Sequence, residues 1–226
     1  MKRAYFVTGT DTDAGKTTVA AGLLHAAGQA GYSTAAVKPV ASGCIRTPEG
    51  LRNSDATALW AECSLPLGYE DVNPFAFEPA IAPHVAAREA GVELSIEGVA
   101  ARIGAVLGAG AGFTLVEGAG GWRVPLNGDA MLSALPLRLG LPVILVVGVR
   151  LGCINHALLT AEAVRADGLT LSGWVANLID PDMSRRDETL ASLDTHLNAP
   201  CLGRVPWLAT ASAEAVARHL DLSLLA

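Results

Sequence analysis

The chain has 226 residues, of which 51% are hydrophobic and only 17% are charged. This composition excludes a disordered chain, which is poor in apolar residues and rich in charge, and it predicts a large buried core. The formal net charge is −6 and the chain contains no run of Lys or Arg. We therefore expect no nucleic-acid partner, and we expect any anionic ligand to be held by a local site.

The cysteines and the apolar runs bear on where the protein acts. The four cysteines (Cys44, Cys63, Cys153 and Cys201) share no metal-ligand spacing and are far apart, as is typical of reduced thiols. The first apolar run stops at Thr8, and the longest one, 141–149, is too short to cross a bilayer as a helix. These features predict a cytoplasmic protein with no membrane partner.

Short apolar runs alternate with longer segments of helical periodicity along the chain. The runs predict strands over 4–7, 34–37, 113–116, 143–147 and 173–176. The periodic segments predict helices over 17–30, 55–62, 96–107, 155–166 and 186–197. This alternation predicts a single α/β domain over 1–226, with a mostly parallel sheet and helices on both faces. The Gly- and Pro-rich segment 41–83 is interpreted as loops and short helices over the rim of the sheet.

A glycine-rich loop follows the first predicted strand and precedes the first predicted helix. Its sequence from Gly9 to Thr18 is GTDTDAGKTT. Glycines let the backbone approach phosphates, and the start of a helix offers free N–H groups and a partial positive charge. Lys16 would contact the β- and γ-phosphates and the Thr17 hydroxyl would bind Mg²⁺, although five residues instead of four precede the Gly-Lys pair. We predict an ATP or GTP site formed by Asp13, Ala14, Gly15, Lys16, Thr17 and Thr18.

Two carboxylates and a second lysine are candidates for the same edge of the sheet. Glu117 ends a predicted strand before the small residues 118–121, so it is placed to reach a metal, although a solvent-facing side chain is the alternative. Asp55 fits either a metal ligand or the first turn of a helix, and its residue type favours the helix turn. Lys38 ends another strand, where a solvated side chain is equally consistent, and Ser42 would line the same crevice.

The segments that carry these residues resemble the dethiobiotin synthetase family when they are taken in order. They are 5–12 (YFVTGTDT), 15–17 (GKT), 38–43 (KPVASG), 52–55 (RNSD), 116–122 (VEGAGGW), 151–156 (LGCINH), 173–177 (GWVAN) and 205–208 (VPWL). The resemblance extends over nearly the whole chain, and the phosphate loop of the family also carries the extra residue. It implies a P-loop NTPase-like fold and a ligase of biotin biosynthesis.

The resemblance further implies the substrates ATP, CO₂ and 7,8-diaminononanoate, with Mg²⁺ as cofactor. A substrate amine would take up CO₂, the carbamate would attack the γ-phosphate, and the second amine would close the ring. Lys16 and Lys38 match the lysines that hold phosphate and carbamate, and Ser42 matches a contact to the diamine. The implied metal ligands are Thr17, Asp55 and Glu117, which reverses the reading of Asp55 as a plain helix residue.

The remaining implied contacts involve the nucleotide, the substrate carboxylate and a second subunit. Gly118, Ala119, Gly120, Asn177, Pro206, Trp207 and Leu208 match nucleotide-binding positions. Gly152, Cys153, Ile154 and Asn155 match a helix start that the other subunit supplies to the substrate carboxylate, which implies a homodimer. Leu178 departs from relatives that carry a polar residue, which puts the base contact of Asn177 in doubt. Glu214 is given no role, and His84 is assigned to packing or surface.

Two other classes of protein remain as alternatives. A partition- or septum-site-type regulatory ATPase shares the fold but carries a lysine five positions before the loop lysine, where this chain has Asp11. An amidotransferase of the cobyrinic-acid type needs a glutaminase domain, and no residues of this sequence are left for one.

Overall fold

The computed structural model describes residues 3–225, and strands and helices alternate along them. The strands are β1 (Arg3–Gly9), β2 (Thr34–Val37), β3 (Val40–Ala41), β4 (Ile45–Thr47), β5 (Gly50–Arg52), β6 (Phe75–Ala76), β7 (Phe113–Glu117), β8 (Val143–Gly148), β9 (Leu171–Asn177) and β10 (Cys201–Val205). The helices are α1 (Lys16–Gln29), α2 (Ser54–Ala61), α3 (Tyr69–Val72), α4 (Pro83–Glu89), α5 (Ile96–Gly108), α6 (Ala134–Leu139), α7 (Cys153–Ala166), α8 (Arg186–His196) and α9 (Ala213–Ala217), with a 3₁₀ turn at Leu222–Leu224.

Six strands form one parallel sheet in the order β10-β9-β8-β1-β7-β2. The central strand β1 pairs with β7 on one side, where Val7 lies opposite Glu117, and with β8 on the other side. Because all six strands run in the same direction, their carboxyl ends share one edge, where ligands bind in open α/β sheets. The predicted α/β class with a parallel sheet is confirmed.

Side chains of β1 alternate between the two faces of the sheet. Tyr5 and Val7 pack into a core with α1 and α9, whereas Phe6 packs into a second core with α5, α7 and α8. Successive residues of a strand point to opposite faces, so a strand covered on both sides reads as a continuous apolar run. The predicted placement of helices on both faces is therefore also confirmed.

Two parts of the sheet structure differ from the prediction. The segment 41–83 was expected to contain only loops and short helices, and this was wrong, because β3 pairs with β6 and β4 pairs with β5. Strands of two or three residues are too short to show a period of two. The edge strand β10 was not predicted, because Gly203 and Arg204 interrupt its apolar run. Glycine is required at position 203, since a Cβ there would lie 2.1 Å from the His219 carbonyl oxygen.

No helix within residues 3–225 combines the length and the apolar character that crossing a bilayer requires.

Candidate active site

The phosphate loop connects β1 to α1 at the shared edge of the sheet. Gly15 caps α1 with φ +85°, and Asp13 also has a positive φ of 61°. Gly15 is required for a second reason, because a Cβ there would lie 2.0 Å from Asn177 Nδ2. No side chain caps the first N–H groups of α1, so these groups and the positive end of the helix dipole are free to bind an anion.

Lys16, the first residue of α1, is a buried cation with a weak partner. Its Nζ donates a hydrogen bond to the Asp11 carbonyl oxygen at 2.9 Å. Burial and, after it, the nearby Lys38 ammonium lower the pKa of Lys16 below its ordinary value. A phosphate oxygen would relieve both effects, since it would supply the full negative charge that a carbonyl group lacks.

Lys38, directly after β2, is buried between two carboxylates. Its Nζ donates to Glu117 Oε1 at 2.5 Å and to the Gly118 carbonyl oxygen at 3.1 Å, and it lies 3.4 Å from Asp55 Oδ2. Burial alone would lower the pKa of Lys38, but Glu117 and Asp55 outweigh burial and raise it above its ordinary value. Lys38 therefore keeps its charge at physiological pH, and the solvated alternative for this residue is wrong.

Glu117 joins the phosphate loop to Lys38. It is fully buried at the end of β7, and its Oε1 accepts a hydrogen bond from the Thr17 hydroxyl at 2.8 Å as well as from Lys38. The alternative of a solvent-facing Glu117 is therefore wrong. Its other oxygen, Oε2, has no hydrogen-bond partner within residues 3–225. A buried carboxylate oxygen without a partner costs free energy, and a cation is the ligand that would satisfy it.

Asn53 positions the side of the site that carries Asp55. Its Oδ1 accepts hydrogen bonds from the backbone N–H groups of Asp55 and Ala56 and so caps α2, while its Nδ2 donates to the Ser42 carbonyl oxygen at 3.2 Å. Asn53 thus holds both Asp55 and Ser42, and sequence reasoning gave it no role. The signal was present, because Asn before a periodic helical segment is a typical N-cap.

A cleft of about 900 Å³ brings about half of the predicted residues together. Predicted residues that line it are Asp13, Gly15, Lys16, Thr17, Thr18, Lys38, Ser42, Asp55, Ala119 and Gly120. Lining residues that sequence reasoning missed are Thr12, Val40, Ala41, Asn53, Ala80, Ile81, Ala82, Pro83 and Val124. The apolar wall among these missed residues comes mainly from the turn before α4. It was missed because the sequence of this turn contains no motif that indicates a binding site.

Other predicted residues lie around the cleft without lining it. Ala14 is buried, and its carbonyl oxygen accepts a hydrogen bond from Asn177 Nδ2 at 3.0 Å, so Asn177 supports the phosphate loop from behind. Gly118 packs against the core, because a Cβ there would lie 2.9 Å from the Phe6 ring. The segment Pro206, Trp207 and Leu208 follows β10, and the Trp207 side chain is largely exposed.

The predicted carboxylate-binding segment begins α7 at the same edge of the sheet but does not line the cleft. Gly152 caps the helix with φ +94° and no side-chain cap is present, as in α1. Leu151 is 92% exposed and Asn155 is exposed, whereas Cys153 is buried. The structure therefore separates Gly152, Cys153, Ile154 and Asn155 from the cleft of their own chain.

Two further residues from the sequence analysis lie away from the cleft walls. Glu214 accepts a hydrogen bond from Arg218, one turn later in an exposed part of the chain. His84 lies in α4, next to the cleft residue Pro83, and its Nδ1 is buried without a partner within residues 3–225.

The donor set fits a magnesium ion that is bound together with nucleotide. Magnesium prefers oxygen ligands and usually takes one or two carboxylates beside phosphate oxygens and water. Thr17, Glu117 and Asp55 offer hydroxyl and carboxylate oxygens around Lys38. No group of three His, Cys, Asp or Glu side chains within residues 3–225 forms a metal cage by itself, so protein ligands alone would not complete the coordination.

Similarity to known proteins extends over nearly the whole chain. A family model described as an AAA domain matches residues 3–215. The ATP-dependent dethiobiotin synthetase of Pseudomonas paraeruginosa is 69% identical over 97% of this chain and 96% of its own length. Proteins of the same name from Cellvibrio japonicus and Pseudescherichia vulneris are 60% and 51% identical, covering 99% and 100% of this chain and 98% and 94% of their own lengths.

Solved structures show a similar fold at low sequence identity. A ParA family ATPase from Chlorobium tepidum has a TM-score of 0.57 at 14% identity, covering 98% of this chain and 91% of its own. The signal recognition particle 54 kDa protein of Aeropyrum pernix, in complex with GDP, has a TM-score of 0.53 at 16% identity, covering 95% of this chain and 44% of its own. These structures support the P-loop NTPase fold alone. Membership of a family is shown by the three relatives of high sequence identity. The chain therefore belongs to the ATP-dependent dethiobiotin synthetase family.

Proposed function

We propose that the chain is a ligase that forms dethiobiotin from 7,8-diaminononanoate, CO₂ and ATP, and that residues 1–226 form a single P-loop catalytic domain. The observation that carries the proposal is the charge arrangement at the floor of the cleft. Two buried lysines, Lys16 and Lys38, flank the buried carboxylate of Glu117 beside the start of α1. Such a site binds two anions next to each other, and family membership identifies the anions as ATP and a carbamate.

The phosphate end of the site uses α1 and its loop. The N–H groups at the start of α1 and the Lys16 ammonium would bind the β- and γ-phosphates. Lys16 would exchange the Asp11 carbonyl oxygen for a phosphate oxygen, which is the stronger acceptor. Asp13, the segment 15–18, Ala119 and Gly120 line this end of the cleft, and Ala14 and Gly118 lie behind them.

The carbamate end of the site uses Lys38. One amine of the diamine attacks CO₂ and loses a proton, which gives an anionic carbamate. A carbamate oxygen then attacks the γ-phosphorus and ADP leaves, and the second amine attacks the carbonyl carbon, which closes the ring and releases phosphate. Lys38 and Lys16 would screen the repulsion between carbamate and triphosphate, and fixed charges in a buried site achieve this without reorganisation.

Magnesium would be held by Thr17, Asp55 and Glu117. The unpartnered Glu117 Oε2 supports this assignment, because it is a buried oxygen of the same carboxylate whose Oε1 accepts a hydrogen bond from the hydroxyl of the cleft residue Thr17. When bound, the ion neutralises phosphate charge and helps to orient the γ-phosphate. The chain supplies the rest: Lys38 fixes the Glu117 carboxylate, and Asn53 fixes Asp55.

The far end of the diamine would be bound by a second copy of the chain. Ser42 lines the cleft beside Lys38 and would contact the amine end. The start of α7, including Gly152, Cys153, Ile154 and Asn155, would bind the substrate carboxylate in the cleft of the partner. The outward orientation of this helix start supports a homodimer, as do the exposed Leu151 and Leu159 on the same surface.

The adenine base would lie at the ends of β9 and β10. Asn177 combines a buried amide with contact to the phosphate loop, and Pro206, Trp207 and Leu208 follow the neighbouring strand. The exposed indole of Trp207 offers an apolar surface at this position. An amide at the base edge and an apolar wall are the groups that recognise a purine.

A coupled assay on the full chain tests the proposed function. Phosphate release is measured with diaminononanoate, bicarbonate and Mg-ATP added singly and together, and dethiobiotin is identified by mass. We expect product and phosphate in equal amounts only when all three are present, and loss of turnover when the metal is chelated. Phosphate release that is independent of the diamine, or that depends on glutamine, would contradict the proposal. Recruitment to DNA or membrane by ATP would instead favour the regulatory ATPase.

A further inference from the structure

An ion pair joins the phosphate loop to the turn that precedes α7. The Arg150 guanidinium donates to Asp11 Oδ2, while Asp11 Oδ1 accepts a hydrogen bond from the Thr12 backbone N–H at 2.8 Å. The carbonyl oxygen of the same Asp11 accepts from Lys16 Nζ at 2.9 Å. Asp11 is therefore held by Arg150 through its side chain and holds Lys16 through its backbone.

The backbone of Arg150 reaches the other binding segment. Its carbonyl oxygen accepts a hydrogen bond from the N–H of Cys153, the first residue of α7, at 3.0 Å. Between them lies Gly152, where a Cβ would meet no atom within 4 Å. Arg150 thus contacts both the loop that holds Lys16 and the helix start that the proposed function assigns to the substrate carboxylate.

The ion pair is not what keeps the loop folded. Both side chains are nearly half exposed, at 45% and 43%, and ion pairs of that exposure add little to stability. Neutral hydrogen bonds already attach the loop to the sheet, from the Gly148 N–H to Thr10 Oγ1 at 3.3 Å and from Asn177 Nδ2 to the Ala14 carbonyl oxygen at 3.0 Å. The ion pair differs from these two bonds because its partner, Arg150, lies in the turn before α7.

We propose that Arg150 is a positioning residue that couples nucleotide binding at the phosphate loop to diamine binding at the start of α7. This inference rests on the proposed function. Lys16 has two alternative acceptors, the Asp11 carbonyl oxygen and a phosphate oxygen, so nucleotide binding releases Asp11 from Lys16. Arg150 transmits the resulting change of Asp11 to the first turn of α7. Because coupling between binding sites is reciprocal, each ligand strengthens the other by the same factor.

Since the start of α7 would serve the cleft of the partner, the coupling runs between the two subunits. ATP in one subunit would then prepare the diamine site of the other. The loaded phosphate loop and the diamine site that it prepares then belong to different subunits.

Calorimetric titration of the full-length protein tests the coupling without turnover. The dissociation constant of 7,8-diaminononanoate is measured without bicarbonate, in the presence and absence of Mg²⁺ and an ATP analogue with a non-hydrolysable β,γ bridge. We expect the analogue to tighten diamine binding roughly fivefold or more, Arg150→Ala to abolish this effect, and Arg150→Lys to retain part of it. Asp11→Ala combined with Arg150→Ala should cost no more coupling than either change alone.

A matched control separates this role from a general loss of surface charge. Arg204 and Asp194 form a comparably exposed pair at 2.6 Å outside the cleft, so Arg204→Ala should keep the coupling, and all variants should unfold within a few degrees of the wild type. Coupling that persists in Arg150→Ala, or that is missing from the wild type, would overturn the inference while diamine binding remains. A wild type that does not bind the diamine at all would instead overturn the proposed function, and the inference with it.

Discussion

Two helix starts of the same local design have different surroundings in this molecule. Both α1 and α7 follow a parallel strand of the central sheet, both have 14 residues, and both are capped by a glycine with positive φ and without a side-chain cap. At α1 a Cβ on Gly15 would collide with Asn177 Nδ2 at 2.0 Å, whereas at α7 a Cβ on Gly152 would meet nothing within 4 Å. One helix start is enclosed by its own chain and the other is open.

The charges around the two helix starts differ in the same way. Lys16, Lys38 and Glu117 surround the start of α1 in a buried cluster, whereas the start of α7 has the exposed Leu151 and Asn155 beside it. A single chain thus places a buried cluster of charges at the start of α1 and an exposed helix start at α7. The proposed function assigns to the start of α7 the half of a site that a second copy would complete.

The largest expected effect concerns the enclosed helix start, at α1. Lys38→Ala should lower turnover by about 10²–10³-fold, because a fixed cation at the developing charge is lost, while the dissociation constant of ATP changes little. Glu117 would be left buried without its cation, which should also cost about 3–5 kcal/mol of stability. Stopped-flow phosphate release and thermal unfolding measure the two effects.

A double variant controls for the stability loss of Lys38→Ala. Lys38→Met with Glu117→Gln removes both buried charges, so it should recover much of the stability and none of the turnover. A turnover rate of Lys38→Ala equal to that of the wild type would remove Lys38 from the chemistry.

The next effect concerns the pH dependence of nucleotide binding at α1. The pKa of Lys16 lies below its ordinary 10.5, so as the pH rises the folded protein loses this proton before the unfolded chain does. ATP affinity should then fall in alkaline solution before pH 10.5, by about 10–100-fold for a lost charged contact of roughly 1.5–3 kcal/mol. Titration of an ATP analogue against pH measures this, and Lys16→Arg should remove the alkaline decline because a guanidinium does not titrate there.

Deprotonation of the two lysines should change the stability of the folded state in opposite directions. Between the lowered pKa of Lys16 and 10.5, loss of the buried charge should stabilise the folded state. The pKa of Lys38 is raised, so its contribution is complete below 10.5 and is lost as the pH rises through its folded value. Alkaline unfolding of Lys38→Met and Lys16→Met separates the two, and an alkaline affinity profile that is identical in Lys16→Arg would contradict the assignment to Lys16.

A matched pair of glycine variants compares the two helix starts directly. Gly152→Ala should cost about 1–2 kcal/mol of stability, since only the left-handed backbone is strained. Gly15→Ala should cost roughly 1–3 kcal/mol more, because Asn177 must also move, and it should weaken ATP binding. Chemical denaturation measures both free energies of unfolding, and equal costs would show that the surroundings of Gly15 are not rigid.

The smallest expected effect concerns the open helix start, at α7. Asn155→Ala should raise the KM of the diamine about tenfold, which corresponds to about 1.4 kcal/mol, and should leave ATP binding unchanged. Steady-state kinetics with each substrate varied in turn measures this, and Glu162→Ala, an exposed change further along α7, is the control. An effect on ATP with none on the diamine would place the carboxylate site elsewhere.

Much of the fold was predictable because it depends on local patterns. The five predicted strands are all in the sheet, and the five predicted helices begin within two residues of their observed starts. Strands buried on both faces and long helices can be recognised from their local sequence patterns. The two short ribbons are not recognisable in this way. In β3–β6, Val40 pairs with the distant Phe75, and in the hairpin β4–β5 each strand has three residues, too few to show an alternating pattern.

Part of the candidate site was predictable one residue at a time, as for Lys16 and Asp55, whereas Asn53, the apolar wall at 80–83 and the arrangement of the site were not. The sequence by itself determined the phosphate loop, because a strand, glycines, a lysine and a helix start are consecutive and their chemistry is local. Only the tertiary structure decided that Glu117 accepts from both Thr17 and Lys38, that Asn177 supports the loop from behind, and that α7 begins facing outward. Those contacts join strands far apart in the chain, and the order in which parallel strands pack side by side is set by the burial of the whole core and not by any local segment.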